Sequence, residues 1–268
     1  MLKLRWTCLA APLAGLGLAV ALASAASAAS LAEIKQRGEI RIVTTSSSPP
    51  HGFLDPKENK LRGIMFEVGE AVAKKLGVKA KYTEVPFGSL IPEVTSGRAD
   101  LMSAPLFITP QRAEVLDFST PVYGWGEGLI AKDDSKKAYA DLTSMKGDTV
   151  GVLVNSVQYN MIKDTPGVKE VRTYPDYVHL MADIRAGRVD VGVIDPPSVV
   201  YQMKANNISG LKLVSGYKPV NQWKIGLAVK KGDKDVLDAV DAAVAAIKKD
   251  GELKRILTEW GVPQLIAE

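Results

Sequence analysis

Short apolar runs alternate with stretches of helical spacing along most of the chain. Residues 39–44 read as a strand, and Val68, Val72 and Leu76 then recur at i, i+4 and i+8, which places them on one buried stripe of a helix. Residues 78–85 alternate like a second strand. This β-α-β order predicts an α/β fold with parallel pairing.

The same order continues with a helix expected over 87–96 and a strand over 99–104. Further strands are expected over 149–154, 171–174, 189–194 and 211–214, with helices from about Ser156, Asp176 and Pro196. The segments 96–100 and 186–190 both read small-Gly-Arg-x-Asp between a helix and an apolar strand, which suggests two halves built on one plan. A chance match is the alternative, because glycine is common at helix ends.

The first residues read as a secretion signal. Lys3 and Arg5 precede an apolar run over 6–22, and small residues ending at Ala28 follow. The alternative, a single membrane anchor, needs an uninterrupted run of about 20 apolar residues. Cleavage after Ala28 would release a chain of 240 residues into the periplasm and remove Cys8, so that no disulfide and no Cys-based metal site is expected.

Composition narrows the classes of partner. Without Lys3 and Arg5 the chain has 32 basic against 30 acidic residues, so nucleic acid is not an expected partner. The length suffices for two domains with cores of their own. His51 and His179 are too far apart to predict a metal pair, and neither a Gly-rich phosphate loop nor a Ser/His/Asp arrangement is evident. No metal or cofactor is expected.

Residues 100–112 continue from a short apolar strand to a permanently charged side chain, Arg112, just beyond that strand. A guanidinium stays charged at any working pH and presents a planar fork of donors, which suits a carboxylate. The alternative is a surface arginine paired with Glu114 or Asp117, which would carry no functional meaning.

This segment, with Ile-Thr-x-x-Arg over 108–112 and Val-Leu-Asp-Phe-Ser-x-Pro-Val-Tyr over 115–123, resembles the amino-acid-binding proteins of bacterial ABC importers, the polar-amino-acid solute-binding family. The C-terminal segment 250–261 is similar to that family too. The resemblance implies a two-lobe, type II periplasmic-binding fold with a ligand cleft between the lobes and two hinge strands. It also implies that Arg112 grips the ligand's α-carboxylate.

By the same resemblance the lobes are discontinuous in sequence. After a signal peptide over 1–28, lobe 1 would comprise 29–128 plus 226–268 and lobe 2 would comprise 129–225. Residues 129–131 and 225–229 would be the hinge strands.

Two second-lobe segments match positions that bind ligand in the family. Asp195 follows the strand 189–194 and occupies the position of the ammonium-binding aspartate, although an aspartate before Pro196 is also a natural helix N-cap. Ser156 and Val157 stand where the family binds the carboxylate at a helix N-terminus. Val157 lacks a hydroxyl, so only its backbone N–H can serve, and Ser156 can be a plain N-cap.

Other positions depart from the family pattern. Phe107 replaces a Ser or Thr hydroxyl that accepts from the ammonium, Pro105 retains the backbone carbonyl used there, and Met65 replaces an Asp. The segment that contains His51 lacks an aromatic that often stacks on the ligand. Drift or core packing could explain each change, but together they suggest a less polar pocket that suits an aliphatic or aromatic ligand.

The sequence gives further expectations for three side chains. Trp125 can form a wall of the pocket or a wedge beside the hinge. Glu127 can meet an ammonium, although exposure to solvent is the favoured interpretation. His179 is expected on the exposed side of a helix.

We therefore predict a periplasmic solute-binding protein, not an enzyme, that captures a small carboxylated ligand by hinge closure. The ligand would be an α-amino acid, passed by a monomeric binding protein to an ABC permease in the inner membrane. The alternative is a periplasmic dehydratase of the cyclohexadienyl type, with Glu127 or His51 as its general acid. The sensing module of a receptor or cell-wall enzyme is a third, less favoured class.

Overall fold

The computed structural model describes residues 30–267, so the predicted signal peptide lies outside the described residues. The strands in chain order are β1 Glu39–Thr44, β2 Ser47–Ser48, β3 Gly52–Asp55, β4 Lys60–Arg62, β5 Lys79–Glu84, β6 Leu101–Met102, β7 Leu116–Phe118, β8 Tyr123–Gly126, β9 Gly128–Lys132, β10 Thr149–Leu153, β11 Glu170–Tyr174, β12 Val191–Ile194, β13 Leu211–Leu213, β14 Gln222–Ile225 and β15 Ala228–Lys230.

The α-helices are α1 Leu31–Arg37, α2 Ile64–Leu76, α3 Leu90–Thr95, α4 Pro110–Ala113, α5 Val157–Ile162, α6 Tyr177–Arg185, α7 Pro196–Ala205, α8 Lys234–Lys249 and α9 Glu252–Glu259. Short 3₁₀ turns cover Phe87–Ser89, Leu142–Met145 and Pro263–Leu265. The helix expected over 87–96 is therefore split into a 3₁₀ turn and α3. Within the described residues, no helix combines the length and the apolar character that crossing a membrane requires.

Two five-stranded sheets share one plan, which confirms the predicted α/β fold. The first sheet has the order β5-β1-β6-β15-β7 and the second has the order β11-β10-β12-β9-β13. In each sheet the first three strands run parallel, and the fourth strand is antiparallel to both of its neighbours. Each sheet, with its helices, forms the centre of one lobe.

The repeated small-Gly-Arg-x-Asp motif has the same structural role in both lobes. The carboxylate of Asp100 accepts a 2.8 Å hydrogen bond from the backbone N–H of Arg41 in β1, and that of Asp190 accepts a 2.8 Å bond from Thr149 in β10. Each aspartate thus ties its own strand to the neighbouring parallel strand. The repeat marks equivalent positions of two similar halves and is not a chance match.

Helices cover both faces of each sheet, which explains why the middle strands β6 and β12 are apolar and buried along their whole length. In the first lobe α2, α8 and α9 pack on one face and α3 packs on the other. Val68, Val72 and Leu76 of α2 are buried, as their spacing predicts. The second lobe has separate buried clusters on its two faces, one beside α5 and one beside α6 and α7.

The chain passes between the lobes through the antiparallel pair β8 and β14, in which Trp125 lies opposite Trp223. Of the residues expected in the hinge strands, Ile225 lies in this pair, at the end of β14. Residues 129–131 belong to β9 in the second sheet, and 228–229 belong to β15 in the first. The reason is that the crossing segments pair with each other before either one enters its sheet. The lobe boundaries themselves stay a prediction.

Candidate functional site

A cavity of about 530 Å³ lies between the two sheets, within the range of roughly 300–1,000 Å³ that is usual for small-molecule sites. The first lobe contributes the lining residues Thr45, Ser46, Ser47, Ser48, His51, Glu84, Val85, Pro86, Phe87, Gly88, Pro105, Phe107 and Arg112. The second lobe contributes Leu153, Val154, Asn155, Ser156, Val157, Gln158, Pro175, Asp176, Tyr177, Asp195 and Ser198. Many of these residues follow the carboxyl ends of parallel strands, where open α/β sheets bind ligands.

Arg112 is the cation that lines this cavity among the described residues. The Thr109 hydroxyl caps α4 by accepting from the Arg112 N–H, and the Arg112 Nη1 donates a 2.8 Å hydrogen bond to the Phe107 carbonyl. No described carboxylate forms an ion pair with Arg112; Asp117 pairs instead with Lys231 at 2.7 Å. Burial lowers the pKa of the Arg112 guanidinium to about 10, so it stays charged at neutral pH without a counter-ion. The alternative of a paired surface arginine is therefore wrong.

Asp195 lines the same cavity from the second lobe, at the N-terminus of α7. Its Oδ1 accepts hydrogen bonds from Trp125 Nε1 at 3.0 Å and from Gln158 Nε2 at 2.7 Å, while its backbone N–H donates to the Tyr177 hydroxyl at 2.9 Å. Its side chain does not cap α7, although it occupies the N-cap position. Burial raises the pKa of Asp195, and hydrogen bonds from its neighbours oppose that rise. No described cation pairs with this carboxylate.

Ser156 and Val157 also line the cavity. The Ser156 hydroxyl accepts from the Tyr159 N–H at 3.0 Å and donates to the Leu153 carbonyl at 2.7 Å, so it is an N-cap whose hydrogen is already engaged. Val157 packs against the first-lobe core, across the cleft from its own sheet. It thereby contributes apolar contact between the lobes.

Aromatic side chains form the wall behind Pro105 and Phe107, both of which line the cavity. Phe107 is buried; it stacks on Trp223 with ring centroids 5.0 Å apart and meets Trp125 edge-on at 4.9 Å. Trp125 does not line the cavity but lies directly behind His51 and Asp195. Trp125 thus lies beside the hinge and also supports the wall of the pocket from behind.

His51 lines the cavity as a buried, neutral ring. It stacks on Trp125 with centroids 4.5 Å apart and nearly parallel planes, and its Nδ1 lies 2.9 Å from the Tyr123 hydroxyl. Burial lowers the pKa of His51 to about 3. His179 is exposed on α6, as expected, and the described residues contain no cluster of side chains suited to a metal ion.

Two residues lie elsewhere than the sequence suggested. Met65 is fully buried in the core beside α2 and does not line the cavity, because the apolar stripe of α2 turns it towards the sheet. Glu127 is fully buried, not exposed to solvent, and accepts hydrogen bonds from the Tyr217 hydroxyl and the Val220 and Asn221 N–H groups. It holds the segment that leads back to the first lobe.

Gln158 is the site residue that sequence reasoning missed. It lines the cavity, is only 2% exposed and contacts Asp195 directly. The only sequence signal was its place in the first turn after Ser156. Glu84 and Asp176, one from each lobe, add carboxylates to the lining.

Several known proteins are similar to this chain over most of its length. The L-cystine-binding protein TcyJ of Escherichia coli (strain K12) is 28% identical over 249 residues, covering 91% of this chain and 92% of that protein. ABC transporter arginine-binding protein 1 of the same strain is 31% identical over 246 residues, covering 91% and 97%. The crystal structure of AncCDT-1, an ancestral amino-acid-binding protein and precursor of cyclohexadienyl dehydratase, matches with a TM-score of 0.76 at 27% identity, covering 86% and 98%.

The model of one protein family extends over both sheets and the crossing between them, matching residues 40–263. That range contains every lining residue of the cavity. The relatives named as binding proteins and the match to the AncCDT-1 structure agree with it. The chain therefore belongs to the bacterial extracellular solute-binding proteins, family 3.

Proposed function

We propose that this protein binds an α-amino acid in the cavity between its lobes and delivers it to the permease of an ABC importer in the inner membrane. The observation that carries the proposal is the pair Arg112 and Asp195. They offer opposite charges to one cavity from different lobes, and neither has an ionic partner among the described residues. A zwitterion supplies a carboxylate and an ammonium, so it can compensate both charges at once.

This arrangement gives a reason for hinge closure. A ligand shifts an equilibrium between open and closed lobes only by its unequal affinity for the two states. An open cleft would let the zwitterion reach one charged residue at a time, whereas a closed cleft offers both. A charge buried without its partner costs several kcal/mol, on the order of a thousandfold in affinity. Closure is therefore more favourable around a ligand with both charged groups than around a ligand with only one of them.

An aliphatic or aromatic side chain is the finer part of the proposal. Apolar lining residues from both lobes support it, including Val85, Phe87, Phe107, Leu153 and Val154. The relatives named for cystine and arginine identify the competing ligands for a test. A ligand with a basic side chain would instead pair with the carboxylates of Glu84 and Asp176, which line the same cavity.

We further propose that the protein acts as a periplasmic monomer after cleavage near Ala28, with its hinge between lobe 1 (29–128 and 226–268) and lobe 2 (129–225). It binds its ligand without making or breaking a bond. Two observations weigh against the dehydratase alternative: Glu127 is not among the cavity-lining residues, and His51 is held neutral. Incubation with arogenate or prephenate, with detection of an aromatic product, tests that alternative directly.

Native mass spectrometry of freshly purified protein, followed by calorimetry, tests the proposed function. The calorimetric panel contains L-leucine, L-phenylalanine, L-arginine and L-cystine, together with deaminated analogues of the first two. We expect an amino acid to bind more tightly than its deaminated analogue. Binding of none of the panel, or equal affinity with and without the amino group, would overturn the proposal for α-amino acids.

A further inference from the structure

The Gln158 amide adjoins the carboxylate proposed to bind the ligand's ammonium. The side chain lines the cavity from the first turn of α5, is 2% exposed, and donates from Nε2 to Asp195 Oδ1 at 2.7 Å. An ionised carboxylate only accepts hydrogen bonds, so the amide must present its NH₂ group to Asp195. Its carbonyl, Oε1, is thereby left as the free end of the amide, and it accepts no hydrogen bond from any described residue.

The side chain of Asp195 is also placed unusually for a residue at a helix start. Within residues 30–267, five side chains cap helical segments by accepting from the backbone N–H of the third helical residue: Ser30, Thr109, Asp141, Ser156 and Asp176. At α7 the corresponding donor is Ser198, and Asp195 accepts no bond from it. The carboxylate instead points to Gln158 and Trp125. The side chain therefore does not act as the helix cap that the sequence offered as an alternative, and it lines the cavity.

The remaining neighbours of Asp195 do not supply the missing positive charge. Trp125 from β8, Gln158 from α5 and Ser198 from α7 are neutral. Tyr177 from α6 is also neutral, because burial, reinforced by the Asp195 carboxylate, raises its pKa. The hydrogen bonds from Trp125 and Gln158 orient the carboxylate but leave its charge uncompensated. A ligand ammonium can supply that charge if further acceptors lie beside it.

From this geometry we propose that Gln158 determines specificity for an amine-bearing ligand in two ways. Its Nε2 holds the Asp195 carboxylate away from α7 and in the cavity, and its Oε1 accepts a second hydrogen bond from the ligand's ammonium. The inference rests on the proposed function, and it assigns to Gln158 the acceptor that Phe107 does not provide. It favours primary and secondary ammonium groups, which have two or more N–H donors, over quaternary ones.

Gln158→Met tests the proposal, because it keeps the length of the side chain and removes both amide functions. The matched control is Gln202→Met: Gln202 is also a buried second-lobe glutamine, at 6% exposed, but it does not line the cavity. Calorimetry compares L-leucine with 4-methylpentanoate and L-phenylalanine with 3-phenylpropanoate. A crystal structure of each variant without added amino acid shows where the Asp195 carboxylate lies.

In Gln158→Met we expect the affinity for the amino acid to fall by roughly tenfold to a hundredfold, the usual range for a hydrogen bond to a charged group. The affinity for the deaminated analogue should not change, and Gln202→Met should change neither. Equal losses for both members of a pair, or no loss for either, would overturn the role in specificity.

The crystal structures provide a readout that does not depend on which amino acid binds. We expect the Asp195 carboxylate of Gln158→Met to rotate and accept from the Ser198 N–H. An unmoved carboxylate would overturn the positioning role. If wild-type protein bound none of the amino acids, the proposed function would fail. The crystal structures of wild type and Gln158→Met would still test whether Gln158 positions the Asp195 carboxylate.

Discussion

The indole Nε1 of Trp125 donates a 3.0 Å hydrogen bond to Asp195 Oδ1 and thereby connects the crossing strand β8 to the ligand cavity. Asp195 follows a strand of the second sheet, whereas Trp125 lies on the pair that joins the two lobes. The carboxylate proposed to bind ammonium is thus positioned partly by the crossing itself. A hinge movement that displaced β8 would also disturb the hydrogen bond that Trp125 donates to the Asp195 carboxylate.

Arg112→Ala should nearly abolish amino-acid binding. The substitution removes the cation that compensates the ligand's carboxylate, and we expect a loss on the order of a thousandfold. The folded state should be little affected, because Arg112 makes no ion pair within the described residues. Arg112→Lys should retain part of the affinity, since an ammonium keeps the charge but lacks the planar fork. Calorimetry and thermal unfolding measure the two effects.

The control for Arg112 is Arg98→Ala, which removes an exposed arginine paired with Glu93 outside the cavity. Its affinity should match that of the wild type. Unchanged affinity in Arg112→Ala would refute the assignment of the carboxylate partner.

Asp195→Asn should stabilise the ligand-free protein at neutral pH and weaken its binding of amino acids. Burial raises the pKa of Asp195 above its unfolded value, so the ionised group costs stability at high pH, and that cost is relieved as pH falls through the folded pKa. The melting temperature of Asp195→Asn should therefore exceed that of wild type at pH 7, and the difference should shrink towards pH 4. A difference that did not vary with pH would contradict this account of the buried charge.

His51 should make the protein sensitive to acid. Burial lowers its pKa from 6.5 in the unfolded chain to about 3 in the folded state. Between these values the unfolded state binds the additional proton, so stability falls as pH falls, by about 1.4 kcal/mol for each pH unit well below the unfolded pKa. His51→Gln removes the titrating ring and should flatten this part of the stability profile. Urea unfolding from pH 4 to pH 7 measures both slopes, and parallel slopes would exclude His51 as the cause.

Glu127→Ala should destabilise the crossing between the lobes. The buried carboxylate accepts from the Tyr217 hydroxyl and from two backbone N–H groups, and each donor left unsatisfied costs about 1–3 kcal/mol. We expect a total loss of roughly 3 kcal/mol or more in urea unfolding. Glu114→Ala, at an exposed position, is the control and should have little effect. A loss below 1 kcal/mol for Glu127→Ala would mean that these bonds do not hold the segment.

Local patterns anticipated much of the fold and part of the site. The apolar spacing of Val68, Val72 and Leu76 marked the buried stripe of α2, because the helix repeat alone decides which residues share a face. The segment that ends in Arg112 indicated a cation just beyond a strand, because the strand and the arginine are close together in the sequence. The surroundings of Glu127 were not predicted, because its partners lie about 90 residues further along the chain.

The α/β order, the family to which the chain belongs and the arginine that enters the cleft could all be read from the amino-acid sequence. These depend on short-range periodicity and on motifs read along the chain. Three features depend on contacts between distant segments: Met65 is buried in the core, the Asp195 side chain does not cap α7, and Gln158 reaches Asp195. Such contacts join residues distant in sequence, and their geometry follows from how the two sheets and their crossing strands pack.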